Sequence, residues 1–205
     1  MWSVKTHKVA ASAVAVGGVL LIVGAATTIG GVVSSASAGS SAREQLSLLN
    51  APRNAQDSLP RSIHTQSKGI GDGGLATDST RFLGEDESAQ YWTGIDTAGH
   101  VCVIAELNMS GVWSSACTNA HQFANTGLGL SVDRPDEANP EHAEAYLLPD
   151  GVVLDEIPHV LAYTADNLLT GDTRLLSERA RRDGLTSSTS DFALQLIPTL
   201  GNPVE

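Results

Sequence analysis

The hydrophobic pattern sets the first part of the chain apart from the rest. Residues 9–33 form an uncharged run of 25 residues in which Ser12, Thr27 and Thr28 are the only polar side chains. As a helix this run would be about 37 Å long, which is enough to cross a hydrocarbon core of ~30 Å. The pattern therefore predicts a transmembrane helix over residues 9–33.

The charges beside this run predict its orientation. Lys5 and Lys8 lie before it without any acidic residue, whereas Arg43 and Glu44, the nearest charges after it, cancel each other. Because positive charges favour the cytoplasmic side, residues 1–8 are expected in the cytoplasm and residues 34–205 outside. The run would then be a retained signal anchor.

A cleaved signal peptide is the alternative for the same residues. Ala36-Ser37-Ala38 fits the small-x-small pattern that precedes a cleavage site, and cleavage after Ala38 would release a secreted protein. The apolar run is, however, longer than the roughly 7–15 residues of a signal-peptide core. The retained anchor is the preferred interpretation.

Beyond the span, glycine and serine are frequent over residues 34–80, and this composition predicts a flexible linker. The alternative for part of this stretch is docking on the domain through Leu46, Leu48, Leu49 and Leu59-Pro60. From residue 81 the pattern changes to short apolar segments separated by turns. Residues 81–200 are therefore predicted to form one extracytoplasmic domain.

Short strands dominate the predicted domain. Residues 90–95 and 101–107 flank a turn at 96–99 and predict a β-hairpin. The second of these strands is apolar on both faces until Glu106, which indicates burial on both sides. Residues 112–117 predict a third strand beside it.

The rest of the domain adds helices and further strands. The expected helices are 119–125, capped by Thr118, and 173–182, capped by Asp172; further expected strands are 128–132, 143–148, 152–154, 159–163 and 192–197, with an acidic loop at 133–141. The predicted fold class is α+β or mainly β. It comprises a small antiparallel sheet with one or two short helices and one disulfide.

The chain has two cysteines, Cys102 and Cys117. An exported domain meets an oxidising environment, in which paired cysteines normally form a disulfide. Closing this loop would stabilise the domain by ~3 kcal/mol in the loop-entropy model. Since neither cysteine belongs to a CxxC or CxxH motif, no metal ligand is assigned.

Charge excludes one class of partner. With Lys5 and Lys8 inside, the external part has 10 basic and 23 acidic residues and a net charge of −13. Such a surface repels phosphate backbones, so nucleic-acid binding is disfavoured. The membrane, through the single span, is the one partner that the sequence predicts directly.

No motif predicts catalysis. The sequence has neither HExxH nor GxSxG, and its external histidines, His142 among them, are interpreted as surface residues. We therefore assign no catalytic, metal-binding or cofactor-binding residue. Tyr91, Trp92 and Trp113, on neighbouring predicted strands, are the candidate binding surface.

Several segments together resemble a known family. They are Tyr91-Trp92-Thr93-Gly94, Gly99-His100-Val101-Cys102-Val103, Ser115-Ala116-Cys117, Phe123, Gly127-Leu128 and Leu148-Pro149-Asp150-Gly151-Val152. The chain resembles uncharacterised exported proteins of high-GC Gram-positive bacteria, which have one N-terminal membrane segment and a two-cysteine domain. The resemblance implies export and a disulfide but no activity.

The expected function follows from these features together. The chain is predicted to be a single-pass membrane protein with a non-catalytic binding domain in the cell envelope, where its partner would be a protein or a glycan. The alternatives are an envelope hydrolase with a dispersed active site and a secreted factor released after Ala38.

Overall fold

The computed structural model describes residues 41–135, 138, 140–188 and 191–197. All of the described residues belong to one compact unit. The predicted transmembrane helix and the Ala38 cleavage site lie outside the described residues. Among the residues that are described, no helix is both long enough and apolar enough to cross a membrane.

The first sheet is a four-stranded antiparallel meander. Its strands, in spatial and chain order, are β1 (Leu75–Glu85), β2 (Ala89–Asp96), β3 (Val101–Leu107) and β4 (Trp113–Thr118). The predicted hairpin is confirmed, because β2 and β3 pair from Ala89↔Leu107 to Ile95↔Val101. β3 is an interior strand and is buried on both faces, as its continuous apolar pattern predicted.

The second sheet is also antiparallel and has the order β5-β6-β8-β7. Its strands are β5 (Leu128–Arg134), β6 (Glu141–Leu147), β7 (Leu161–Ala165) and β8 (Leu168–Gly171). Two further strands of two residues each, β9 (Leu185–Thr186) and β10 (Ala193–Leu194), pair with one another. The sequence analysis did not predict β8, because a strand of four residues is too short to show a clear alternation of apolar and polar positions.

The helices are short. They are α1 (Ala42–Gln45), α2 (Arg61–His64), α3 (Ala120–Thr126) and α4 (Glu178–Asp183). Single 3-10 turns lie at Ser47–Asn50, Ala55–Asp57, Ser67–Gly69 and Thr173–Leu175. The helix predicted for 173–182 is divided because Asp172 caps only the last of these turns, after which Ser177 caps α4 separately.

The two large sheets pack face to face around a central core. β3 contributes Val101, Val103, Ala105 and Leu107 to it, and alternate residues of β5 and β6 approach from the other sheet. Cys102 and Ile104 point from β3 to the opposite, outer face, where they join a second cluster. The period-two alternation of a strand thus divides one apolar segment between two cores.

The segment predicted as a flexible linker differs from that prediction over residues 41–74. Leu46 and Leu49 lie in the central core, whereas Ile63 and Ile70 cover the outer face of the first sheet. β1 itself begins at Leu75, within the predicted linker. The composition was misleading because a few well-spaced apolar side chains anchor a segment that is polar elsewhere.

Arg81 of β1 holds this N-terminal segment in place. Its guanidinium is buried and donates hydrogen bonds to the carbonyl oxygens of Ala51, at 2.6 Å, and Leu49, at 3.3 Å. Buried carbonyl groups require donors, and the fixed fork of arginine supplies several at once. The attachment is therefore polar as well as hydrophobic.

The C-terminal part covers the outer face of the second sheet. Tyr146, Leu161 and Leu169 point outward from that sheet and pack against Leu185, Phe192, Leu194 and Leu196. Consequently both sheets have a covered outer face in addition to the shared core. The domain is sheet-rich, with antiparallel strands and few helices, which is the broad fold class that the sequence predicted.

The predicted disulfide is present. Cys102 and Cys117 are direct partners across β3 and β4 and are bonded, with their Cα atoms 4.1 Å apart. Cys102 is completely buried, and both cysteines adjoin the core on the outer face of the first sheet. The bond therefore links two neighbouring strands within one sheet.

Candidate functional site

The aromatic residues predicted as a binding surface do not form one. Tyr91 is 0% exposed and lies in the central core, whereas Trp92 is 2% exposed and lies in the outer core. Trp113 is half-buried against that same outer core. Tyr91 and Trp92 point to opposite faces of β2, but neither reaches solvent, because the N-terminal segment covers the outer face.

A cleft of about 460 Å³ lies instead where turns of the two sheets meet. The first sheet contributes the β1–β2 turn and the β3–β4 turn; the second contributes the facing ends of β5 and β6 and the segment after β8. The lining residues are Glu87, Ser88, Met109, Asp133, Arg134, Pro135, Pro140, Glu141, His142 and Arg174. Met109, 76% exposed, is the most exposed large apolar side chain of the described residues.

Two cross-strand ion pairs form the wall of this cleft on the second sheet. Asp133 faces His142, and Arg134 faces Glu141, in consecutive register positions of β5 and β6. Glu141 is buried and also accepts hydrogen bonds from the backbone N–H groups of Met109 and Ser110, each at 3.2 Å. This carboxylate therefore joins the β3–β4 turn of one sheet to the β5–β6 pair of the other.

His142 is held by carboxylates on both sides of its ring. Nδ1 lies 2.5 Å from Asp133 Oδ1, and Nε2 lies 3.1 Å from Glu144 Oε1. The side chain is 9% exposed. Since an ionised carboxylate can only accept, both ring nitrogens donate when both bonds are made, and the imidazole is then a cation. Although burial lowers the pKa of His142, hydrogen bonds to Glu144 and Asp133 raise it above its ordinary value.

Glu144 is the buried anion of this network. Its Oε2 accepts hydrogen bonds from the Thr173 hydroxyl at 2.6 Å, the Thr173 backbone N–H at 2.9 Å and the Tyr146 hydroxyl at 3.1 Å. Burial raises the pKa of Glu144, but the hydrogen bonds from His142 and Thr173 outweigh it, so the net pKa is below the usual value. Glu144 thereby fixes the segment that follows β8 to β6.

Asp172 and Arg174 complete the network in that segment. Arg174 donates from Nε to Asp172 Oδ1 and from Nη2 to Asp172 Oδ2, both at 2.8 Å, in a two-point contact. Its Nη1 also lies 3.7 Å from Asp133 Oδ1. Hydrogen bonding to Arg174 lowers the pKa of Asp172. Three carboxylates and two cationic groups therefore form one paired network with a net charge of −1 when His142 is protonated.

Two clusters of the described residues have the composition of a metal site. His142, Glu144 and Asp172 offer ligand atoms that lie within 4.8 Å of one another. Asp172 Oδ1, however, already accepts hydrogen bonds from the backbone N–H and Nε of Arg174, which supplies the neutralising cation. The second cluster, Asp96 with Cys102 and Cys117, offers no thiolate because the two sulfurs are bonded to each other. Neither cluster has the free donor set that a metal ion requires.

Asp96 instead organises a turn. Its Oδ1 accepts hydrogen bonds from the backbone N–H groups of Ala98 and His100, and its Oδ2 accepts one from Asp72 N at 2.8 Å. Burial raises the pKa of Asp96, but hydrogen bonds from the backbone of His100 and Asp72 outweigh it and lower the net pKa. The buried carboxylate thus connects the β2–β3 turn to the N-terminal segment.

The chemistry of His142 differs from that of a catalytic base. Its hydrogen-bond partners among the described residues are carboxylates, without a hydroxyl or thiol that could act as a nucleophile. A general base needs a ring nitrogen that is free to accept a proton, whereas both nitrogens of His142 are engaged. The arrangement suits charge organisation at a binding cleft.

The sequence prediction placed His142 at the surface and residues 133–141 in an acidic loop. In the structure Asp133 and Arg134 end β5, Glu141 begins β6, and His142 is nearly buried. One signal was available, since His142 and Glu144 alternate with apolar Ala143 and Ala145 and must therefore share a face. Asp172 lies 28 positions beyond Glu144 in the chain, and only the tertiary structure shows that it approaches His142.

The described residues define the protein as a disulfide-bonded antiparallel β domain with a charge-lined cleft at one end of its two sheets. No protein-family model matches the sequence, and neither a curated protein nor a solved structure shows significant similarity to it.

Proposed function

We propose that this chain is a single-pass membrane protein whose C-terminal domain is a non-catalytic binding module on the outer side of the membrane. The observation that carries the proposal is the cleft beside Met109, in which Asp133 is paired with His142 and Arg134 with Glu141. A preorganised cleft with both apolar and charged groups is suited to binding, because little ordering is needed when a ligand arrives.

The location rests on the sequence and is supported by the disulfide. The uncharged run at residues 9–33 is long enough to span a bilayer, and Lys5 and Lys8 favour a cytoplasmic N-terminus. The Cys102–Cys117 bond suits an oxidising compartment. The resemblance to exported proteins of high-GC Gram-positive bacteria agrees with this location.

An envelope protein or glycan is the proposed partner. Met109 offers an exposed apolar contact, and Arg134, Asp133 and Arg174 keep 40–55% of their side chains exposed beside it. Such a lining favours a ligand with both polar and apolar groups. Nucleic acid is disfavoured by the acidic charge of the external part.

Determining the N-terminus of the mature product tests the location. The full chain would be expressed in a Gram-positive host, and membranes would be separated from the medium. We expect a membrane-bound product that begins at or near Met1. A product in the medium that begins at Gly39 would overturn the anchor and establish the alternative of a secreted factor.

Site-directed photocrosslinking tests the cleft. A photoreactive amino acid at position 109 of the full-length protein should crosslink in intact cells to one discrete protein or glycan-bearing product. Position 153 is the matched control, because Val153 is also apolar and 64% exposed but does not line the cleft. Equal crosslinking at both positions would contradict a specific site at the cleft.

An envelope hydrolase is the second candidate function, and one observation favours it: two acidic side chains, Asp133 and Glu141, line the same cleft. Hydrolysis of cell-wall material by the purified full-length protein would be compared with that of an Asp133→Asn variant. Turnover that disappears in the variant would establish the hydrolase and refute a non-catalytic module.

A further inference from the structure

We propose that His142 is a protonation-dependent clamp that pins Asp133 to the wall of the cleft and releases it when the imidazole loses its proton. The clamp joins three parts of the second sheet: Asp133 on β5, Glu144 beside His142 on β6, and the segment after β8. The loss of the His142 proton and the release of Asp133 do not depend on a ligand. Any effect on ligand binding rests on the proposed binding function.

The two contacts of the imidazole differ in how firmly their carboxylates are held. Glu144 is buried and receives three further hydrogen bonds, two from Thr173 and one from Tyr146. Asp133 is 55% exposed in its side chain, and its further partners are the Ser131 hydroxyl at 3.1 Å and Arg174 at 3.7 Å. Asp133 can therefore exchange its protein contact for water, whereas Glu144 cannot do so without leaving the interior.

A neutral imidazole has only one N–H and cannot donate to both carboxylates. The proton that remains should stay on Nε2, because leaving the buried Oε1 of Glu144 without its hydrogen bond from His142 costs more than solvating Asp133. Deprotonation then occurs at Nδ1, whose lone pair repels the Asp133 carboxylate. The predicted high-pH state has His142 protonated only at Nε2 and Asp133 turned toward solvent.

The charged groups around the ring define the pH range of the switch. Asp133 of β5, Glu144 of β6 and Asp172 favour the imidazolium, whereas Arg174 opposes it. The folded-state pKa of His142 is above its ordinary value of 6.5, so the stabilisation by the clamp is fully present below about pH 6.5. It is lost as the pH rises through the higher folded-state pKa.

Loss of the proton also changes the cleft. His142 and Asp133 both line it, so the wall loses one positive charge while a freed carboxylate remains. A negatively charged ligand should then bind more weakly above the transition than below it. An external domain would thereby respond to the pH of the medium.

Nitrogen-15 NMR of the histidine rings in the full-length protein, held in detergent micelles, tests the clamp. The His142 signals would be assigned from their absence in His142→Gln. We expect both nitrogens to be protonated at pH 6, a titration midpoint above 6.5, and the Nε2–H tautomer at high pH. A midpoint at or below 6.5, or the Nδ1–H tautomer at high pH, would overturn the proposal.

Two variants test whether the His142 titration midpoint depends on Asp133 in particular or on the overall negative charge of the domain. Asp133→Asn should lower the His142 midpoint by about one pH unit, because an opposite charge beside the ring is removed. Glu85→Gln removes an exposed acid from β1 and should leave the midpoint unchanged. Equal midpoints in wild type and Asp133→Asn would refute the clamp. Because no ligand is used, this result is independent of the photocrosslinking test of the binding function.

Discussion

Tyr91 and Trp92 are consecutive in β2 but belong to different hydrophobic cores. Tyr91 packs between the two sheets, whereas Trp92 packs beneath the N-terminal segment, 5.7 Å from the ring of Phe82. The Trp92 indole N–H donates to the carbonyl of Gln56 in that segment at 3.1 Å. β2 therefore contributes to the central core and also to the outer core, which is covered by a segment that composition predicted to be a flexible linker.

Replacing Trp92 tests the outer core. Trp92→Ala should lower the free energy of unfolding by about 3–5 kcal/mol, because it leaves a large cavity and an unpaired carbonyl at Gln56. Urea denaturation monitored by circular dichroism measures this change. Met109→Ala, at an exposed apolar site, is the control and should change it by less than about 0.5 kcal/mol. Equal effects would contradict the burial of Trp92.

If the N-terminal segment docks on the first sheet, removing one of its buried side chains should lower the free energy of unfolding. Ile63→Ala should destabilise the domain by about 2–5 kcal/mol, since Ile63 is completely buried on the first sheet. Ser62→Ala, one position away, is exposed and should cost much less. Chemical denaturation of both variants measures the difference. If Ile63→Ala were as stable as wild type, residues 59–70 would behave as the linker that composition predicted.

The disulfide predicts a loss of stability on reduction. The double variant Cys102→Ala with Cys117→Ala should lose about 3 kcal/mol, which is the value of a 15-residue loop in the entropy model. Thermal unfolding with and without dithiothreitol measures the same change in wild type. The reductant should leave the double variant unaffected. A wild-type transition that is insensitive to reductant would contradict this contribution.

Glu144 predicts a loss of stability in acid. Its folded-state pKa is below the ordinary 4.5, so its stabilisation is present above about pH 4.5 and is lost as the pH falls through the lower folded-state value. Glu144→Gln should therefore remove part of the pH dependence below pH 4.5 and cost about 1–3 kcal/mol at pH 6, because hydrogen bonds from Thr173 and His142 are weakened.

Melting temperatures between pH 3 and pH 6 measure this effect in wild type and variant. Glu156→Gln, at an exposed carboxylate, is the matched control. Parallel curves for wild type and Glu144→Gln would contradict the assigned role of Glu144. The exposed control should follow the wild-type curve throughout.

By itself the sequence determined the local features. The β2–β3 hairpin, the double burial of β3 and the Cys102–Cys117 bond all followed from alternation, turn residues and cysteine count, which act between neighbours on the chain or on adjacent strands. The retained anchor at residues 9–33 stays a prediction.

Only the tertiary structure decided what covers the sheets and what lines the cleft. Composition cannot reveal that Ile63 and Ile70 dock on β2 and β3, since burial of a few apolar side chains in a polar segment depends on a distant complementary face. The His142 network likewise joins residues from β5, β6 and the segment after β8. Its charges come together because β8 pairs with β6 and brings the segment after β8 beside Glu144, which no local pattern specifies.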